Sequence, residues 1–245
     1  CCIGFTLLFN FYGEGIYRII FGIFLVASLY ALYFALKDIE ETNSSYQINQ
    51  QEEMQIEDKF KLYLIIMGLL SLVSTMRAPI MLIYIKENIA TELSLLAIAY
   101  IPGEILANIL FGKVGKLSDQ YGKKKFMVSG MILSSILVFM IPFIKTIVTF
   151  ALINFLFSLA RILVMPAQRA IVSDMTNNNH FGKGYGYYHT AVGLGSIIGP
   201  LLGTYIYQFL SKELLFFTNG ITALLLTFII ALTLKEVKAE PGVMP

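Results

Sequence analysis

The sequence GKVGKLSDQYGKKK, residues 112–125, separates two long apolar stretches in a chain that carries few charges elsewhere. Its fourteen residues include five lysines, three glycines and one aspartate. Glycine permits a tight turn and close approach between backbones, and lysine is attracted to the anionic inner surface of a membrane. We therefore interpret this segment as a cytoplasmic connection between two membrane-spanning helices.

The composition of the whole chain supports this interpretation. Of its 245 residues, 57% are hydrophobic and 14% are charged, and the mean hydropathy is +0.72. A soluble domain contains roughly a quarter charged residues, so this chain has too few to face water on all sides. Its apolar runs are continuous rather than alternating, which excludes β-barrel spans. We expect an all-α membrane protein.

Several apolar stretches are long enough to cross a bilayer core, which takes roughly 20 helical residues. An incomplete stretch at residues 1–12 precedes seven others, and because it lacks the features of a signal peptide we expect the chain to be a fragment. The seven stretches are residues 16–36, 62–85, 93–111, 126–143, 147–172, 187–210 and 214–234. The polar composition of residues 37–61 predicts a flexible linker.

The distribution of lysine and arginine predicts the orientation, because cytoplasmic loops carry an excess of both. Placing residues 112–125 in the cytoplasm puts twelve of the 18 basic residues on that side, four on the other side and two inside spans. With alternating spans, residues 235–245 then also lie in the cytoplasm. We expect a multi-pass protein of the plasma membrane with a cytoplasmic C-terminus.

Six positions of the opening segment follow the pattern G-x-L-x-D-x-x-G-[RK]-[RK]. They are Gly115, Leu117, Asp119, Gly122, Lys123 and Lys124. This pattern resembles the motif that joins the second and third helices of each six-helix half in major facilitator superfamily transporters. The resemblance implies a cytoplasmic gate, in which Arg169 is a candidate partner of Asp119. An ordinary basic loop is the alternative, but it explains the lysines and not the spaced Gly–Asp–Gly.

A second pattern lies in GLGSIIGPLLGT, residues 193–204. It consists of Gly195, Gly199, Pro200 and Gly203. It is similar to the glycine–proline motif in the fifth helix of drug antiporters of the same superfamily, although Thr204 stands where that motif has its last glycine. Small residues four apart let two membrane helices touch, and proline loosens a helix. A hinge and a closely packed helix pair are both open interpretations.

The order of these motifs implies the domain organisation. Residues 1–36 correspond to the end of the fifth helix and the sixth helix of the amino-terminal half, and residues 37–61 to the central cytoplasmic linker. Residues 62–234 correspond to the carboxy-terminal six-helix half, followed by a cytoplasmic tail at residues 235–245. The implied partners are the lipid bilayer, a small-molecule substrate, protons and the amino-terminal helices of the same chain, without nucleic acid.

Three charged residues lie inside predicted spans, where each costs about 2.5–3.5 kcal/mol unless it faces a cavity or a partner. They are Arg77, Glu104 and Arg161. At 1.5 Å per residue, Glu104 and Arg161 both lie about 13 Å from the same boundary, so we predict an ion pair. The resemblance implies that Arg77, Asn154 and Arg161 contact an anionic or polar substrate, while Glu104 carries a proton. The alternatives are a permanent structural pair and an Arg77 side chain that reaches the outer surface.

These features favour a secondary active transporter that works by alternating access, expected to be a proton-coupled antiporter of a drug or metabolite. Uptake or facilitated transport of an organic anion is the alternative within the superfamily. A seven-helix receptor or sensor is the alternative from another class, but no span has a central lysine for a retinal Schiff base. Motifs such as H-E-x-x-H and G-x-S-x-G are absent, so we expect no enzyme, cofactor or metal.

Overall fold

The computed structural model of the chain describes residues 15–38, 57–89, 93–176 and 181–234. Within these ranges the regular structure is helical throughout, which confirms the expected all-α class. The helices are α1 (Gly15–Asp38), α2 (Asp58–Asn88), α3 (Leu93–Tyr121), α4 (Lys123–Met140), α5 (Ile147–Asp174), α6 (Phe181–Phe209) and α7 (Lys212–Thr233), with a 3-10 turn at Ile141–Phe143. The predicted apolar stretch 1–12, most of the linker and the tail lie outside the described residues.

Each of the seven predicted spans forms a helix. Five helical segments among the described residues are long and apolar enough to cross a membrane, namely α2, α4 with its 3-10 turn, α5, α6 and α7. The apolar part of α1 is the shorter segment Phe21–Phe34. With 29 residues, α3 is about 44 Å long, which exceeds the thickness of a bilayer core.

The chain divides into two compact units, Cys1–Met54 and Gln55–Pro245. Helix α1 is the described part of the first unit. The second unit holds α2 to α7, in which α2 packs against α6 and α7, and α5 packs against α3 and α4. Edge-to-face aromatic pairs join helices in this unit, with ring centroids 5.0 Å apart for Tyr84 and Phe216 and 5.5 Å apart for Tyr100 and Phe150.

The connection between α3 and α4 is much shorter than the sequence predicts. Helix α3 continues to Tyr121 and α4 begins at Lys123, so Gly122 alone separates them. Gly122 has a φ of 111°, a conformation that side chains with a Cβ rarely adopt. The other glycines of the segment are accommodated within α3. One glycine is enough to turn the chain, and the polar residues before it extend the helix past its apolar stretch.

The glycine–proline pattern forms the contact between α6 and α2. Gly195, Gly199 and Gly203 recur every four residues and therefore share one face of α6. A Cβ atom at any of the three would collide with backbone atoms of α2, between Gly68 and Met76. The structure thus contains the closely packed helix pair, while Pro200 lies within a continuous helix and its role as a hinge stays a prediction.

Replacing Gly203 by alanine tests this contact. The added methyl group would meet the backbone of Met76, so we expect Gly203→Ala to lower the free energy of unfolding by about 1–3 kcal/mol. Gly193→Ala is the matched control, because a Cβ there meets no atom within 4 Å. Thermal unfolding in detergent should separate the two variants. Equal unfolding temperatures would contradict the close packing of α2 and α6.

Candidate functional site

A cavity of about 690 Å³ lies among helices α2 to α7. Its wall brings together all four of the predicted pathway residues: Arg77 from α2, Glu104 from α3, and Asn154 and Arg161 from α5. Most of the remaining wall is apolar or carries small hydroxyl groups. A cavity of this size matches a drug-sized organic solute. We refer to it as the central cavity.

Glu104 and Arg161 form the predicted ion pair across α3 and α5. The Nη2 atom of Arg161 donates to both carboxylate oxygens of Glu104, at 2.8 Å to Oε1 and 2.9 Å to Oε2. The Arg161 side chain is 44% exposed and the Glu104 side chain is 47% exposed, so the pair is accessible from the space around it. Because a solute or water can reach the pair, its contact is open to competition.

The ion pair also borders a second cavity. This space of about 450 Å³ is lined by Glu104 and Arg161 together with Asn108, Phe111 and Gly112. Those three residues follow Glu104 along α3 towards Gly122, so the second cavity extends towards the end of the bundle where α3 meets α4. Glu104 and Arg161 therefore lie where the central cavity and the second cavity meet.

Arg77 occupies a different environment in the same cavity. Its guanidinium carbon lies 4.8 Å from the ring centroid of Phe157, in a cation–π contact. Its Nε atom is buried and has no hydrogen-bond partner in the described part of the chain. The alternative that Arg77 reaches the outer surface is wrong, because Phe157 of α5 holds the guanidinium in the cavity wall. The side-chain nitrogen of Asn154, on the same wall, is likewise buried without a partner.

Several polar residues that line the central cavity were not predicted from the sequence. They are Ser134 and Ser135 of α4, Gln168 of α5, and Asn219 and Thr227 of α7. Asn219 donates to the backbone carbonyl of Val73, which ties α7 to α2. Its position inside an otherwise apolar stretch was the available signal. The serines and Thr227 gave no comparable signal, because hydroxyl groups also bond within their own helix.

Lys123 organises the charges at the Gly122 end of the bundle. Its Nζ atom lies 2.7 Å from Oδ2 of Asp174 and 3.8 Å from Oδ1 of Asp119. The Lys123 side chain is 15% exposed and the Asp174 side chain 25% exposed, although Asp174 taken as a whole residue is exposed. Lys123 was a predicted motif residue, whereas Asp174, at the end of α5, was not predicted. Lys123 therefore joins α4 to α5.

The predicted contact between Asp119 and Arg169 is not formed. Asp119 faces Lys123, which lies four residues further along the chain, and the backbone carbonyl of Arg169 accepts a hydrogen bond from the Tyr185 hydroxyl at 2.7 Å. Of the other motif positions, Gly115 packs near Pro166 of α5, Leu117 is exposed and Lys124 is partly exposed. A role of these residues as a gate stays a prediction.

Comparison with known proteins adds the family. Residues 63–243 match the model of the Major Facilitator Superfamily, which is most of the second unit. The chain belongs to this family. It is therefore an integral, multi-pass membrane protein, which confirms the resemblance seen in the two motifs, and the members of this family are transporters rather than enzymes.

Individual relatives match a smaller region. The multidrug resistance protein MdtG of Salmonella dublin, Salmonella typhimurium and Salmonella arizonae is 30% identical over 134 residues in each case. The matched region is 53% of this chain and 33% of each relative. The chain therefore spans about a third of the length of the curated relatives it matches.

The ion pair between Lys123 and Asp174 should contribute to the stability of this superfamily member. Removing the charge by Lys123→Met leaves the Asp174 carboxylate without its donor, which we expect to lower the free energy of unfolding by about 1 kcal/mol, because Asp174 is partly screened by solvent. Lys116→Met is the control, because Lys116 is exposed and forms no ion pair among the described residues. Thermal unfolding in detergent is the measurement, and similar losses in both variants would contradict the assigned contact.

Proposed function

We propose that this protein is a proton-coupled antiporter that exports a drug or metabolite by alternating access. In this proposal residues 62–234 are the carboxy-terminal half of a plasma-membrane transporter with a cytoplasmic C-terminus. The amino-terminal helices of the same chain supply the other wall of the transport pathway. The relatives are named multidrug resistance proteins, which supports efflux as the direction and a small organic molecule as the cargo.

The accessible Glu104–Arg161 pair carries the proposal. A carboxylate is the type of group that can bind and release a proton during each transport cycle. When Glu104 takes up a proton, it loses its charge and its attraction for Arg161, so the contact between α3 and α5 weakens. When it releases the proton, the pair forms again. The state of the pair can therefore bias the packing of two helices that line the central cavity.

The location of the pair suits this role. Glu104 borders both the central cavity and the second cavity, so water in either space can reach its carboxylate. Charged residues inside membrane spans commonly serve as proton or substrate sites, because inserting a charge into the membrane is costly and such residues are rare without a function. In the alternative interpretation the pair is permanent and only holds α3 against α5. The two interpretations predict different transport behaviour.

Transport driven by an imposed pH gradient distinguishes them. In inverted membrane vesicles that contain the full transporter, Glu104→Gln should reduce gradient-driven accumulation of a fluorescent efflux dye at least tenfold, because glutamine carries no exchangeable proton. Exchange of dye without a gradient should continue. Glu213→Gln is the control, since Glu213 is exposed in the first turn of α7 and lies outside the central cavity.

The remaining outcomes have clear meanings. If Glu104→Gln keeps gradient-driven accumulation, the pair is structural and proton coupling through Glu104 is wrong. If exchange is lost together with accumulation, Glu104 is needed for binding or folding rather than for coupling. If the wild type accumulates no dye of any charge class, the proposed export function itself fails.

A second candidate function is uptake of an organic anion. Arg77 supports an anionic cargo in either direction, because the guanidinium in the central cavity has no carboxylate partner among the described residues. The direction of dye movement in the same vesicles separates uptake from export.

A further inference from the structure

We infer that Arg77 and Asn154 form the anchoring site for an anionic group on the transported solute. The inference rests on the proposed function, since it concerns the cargo of the same central cavity. It goes further because it assigns a chemical class to that cargo and separates the roles of the two arginines. Three observations carry it: an unsatisfied pair of donors, the charge balance of the cavity, and the character of its wall.

The unsatisfied donors are the Nε atom of Arg77 and the side-chain nitrogen of Asn154. Both atoms are buried, and neither has a hydrogen-bond partner in the described ranges. Buried donors are nearly always paired in folded proteins, because each unpaired one costs about 1–3 kcal/mol. Both side chains line the central cavity, Arg77 from α2 and Asn154 from α5. An acceptor brought by a ligand would satisfy them.

The described part of the cavity wall carries one positive charge that no negative charge compensates. Among the described residues, two cations and one anion line the central cavity, namely Arg77, Arg161 and Glu104. Glu104 bonds Arg161 through both carboxylate oxygens, so these two charges compensate each other. Arg77 lies over the face of Phe157, which is a weaker interaction than an ion pair, and no carboxylate among the described residues pairs with it. A solute with one negative charge complements this wall.

The rest of the wall sets the character of the solute. The cavity wall that includes Arg77 also presents Met81, Tyr100, Phe157 and Val138, which are side chains with apolar surface. Guanidinium groups bind carboxylate, sulfonate and phosphonate oxygens through charge-assisted hydrogen bonds. The cargo class that fits is therefore an organic anion with an aromatic or aliphatic body, bound head-first at Arg77. Arg161 belongs to the coupling pair and is not the anchor.

The first test is a binding comparison on the purified full transporter in detergent. The probes are aryl carboxylates of increasing size, such as naphthylacetate, each compared with the uncharged carboxamide of the same skeleton. We expect the carboxylates to raise the unfolding temperature and to bind at least tenfold more tightly than their amides, the ratio expected for loss of a charge-assisted hydrogen bond. Amides that bind as tightly as the carboxylates, or a panel without any carboxylate preference, would overturn the inference.

Variants then test whether Arg77 is responsible for the tighter binding of carboxylates. Arg77→Gln should weaken carboxylate binding at least tenfold and leave amide binding unchanged. Arg77→Lys keeps the charge without the planar donor geometry and should retain part of the preference. Lys145→Gln is the control for loss of one positive charge, because Lys145 is exposed in the connection before α5. Carboxylate binding that survives in Arg77→Gln would assign the anion to another site and overturn the inference.

Failure of this inference is distinguishable from failure of the proposed function. If carboxylates bind through Arg77 but no pH gradient drives their movement, the anchoring site stands and proton-coupled export fails. If uncharged dyes are exported but carboxylates bind no more tightly than their amides, export stands and the anionic anchor fails. The comparison of carboxylates with amides on the wild type needs no variant, so it remains decisive even if Arg77→Gln does not fold.

Discussion

A charged side chain between apolar helices must find a partner or face a polar space, since an isolated charge there costs several kcal/mol. This constraint explains why the second unit holds so few charges within its spans and where they lie. Glu104 and Arg161 compensate each other across α3 and α5. Arg77 has an aromatic face on one side and the central cavity on the other. All three charges therefore line one space, and that space is the candidate transport site.

Helix α6 packs against the side of α2 that faces away from the central cavity. Glycines on one face of α6 let its backbone approach the backbone of α2, so this side of α2 is closed by direct contact. The cavity lies against the remaining surface of α2, where Arg77 is found. At the Gly122 end, Lys123 joins α4 to α5 through Asp174. The glycine contact thus joins two backbones directly, whereas the Glu104–Arg161 pair joins side chains that are accessible.

The sequence predicted the spans, the family and the Glu104–Arg161 pair, because these depend on length, motif spacing and height along a helix. It did not predict the single-residue connection at Gly122, since glycine and lysine are compatible with both a loop and a helix end. The partner of Lys123 also escaped prediction. The height of a residue along its helix does not specify how two helices are rotated, and this rotation decides whether Asp174 of α5 reaches Lys123 of α4. For the same reason only the structure placed Arg77 over Phe157.

The proposed transport cycle requires that the cavity beside Arg77 and Glu104 is accessible to water and opens to each side of the membrane in turn. Cysteine labelling tests it most directly, in a background where Cys1 and Cys2 are replaced by serine. Ser74→Cys, on the cavity wall, should react with a membrane-impermeant thiol reagent from both sides, and a pH gradient should shift the balance between them. Ile229→Cys, exposed on α7 outside the cavity, should stay unlabelled. Labelling of Ser74→Cys from one side only under every condition, or no labelling at all, would contradict the account.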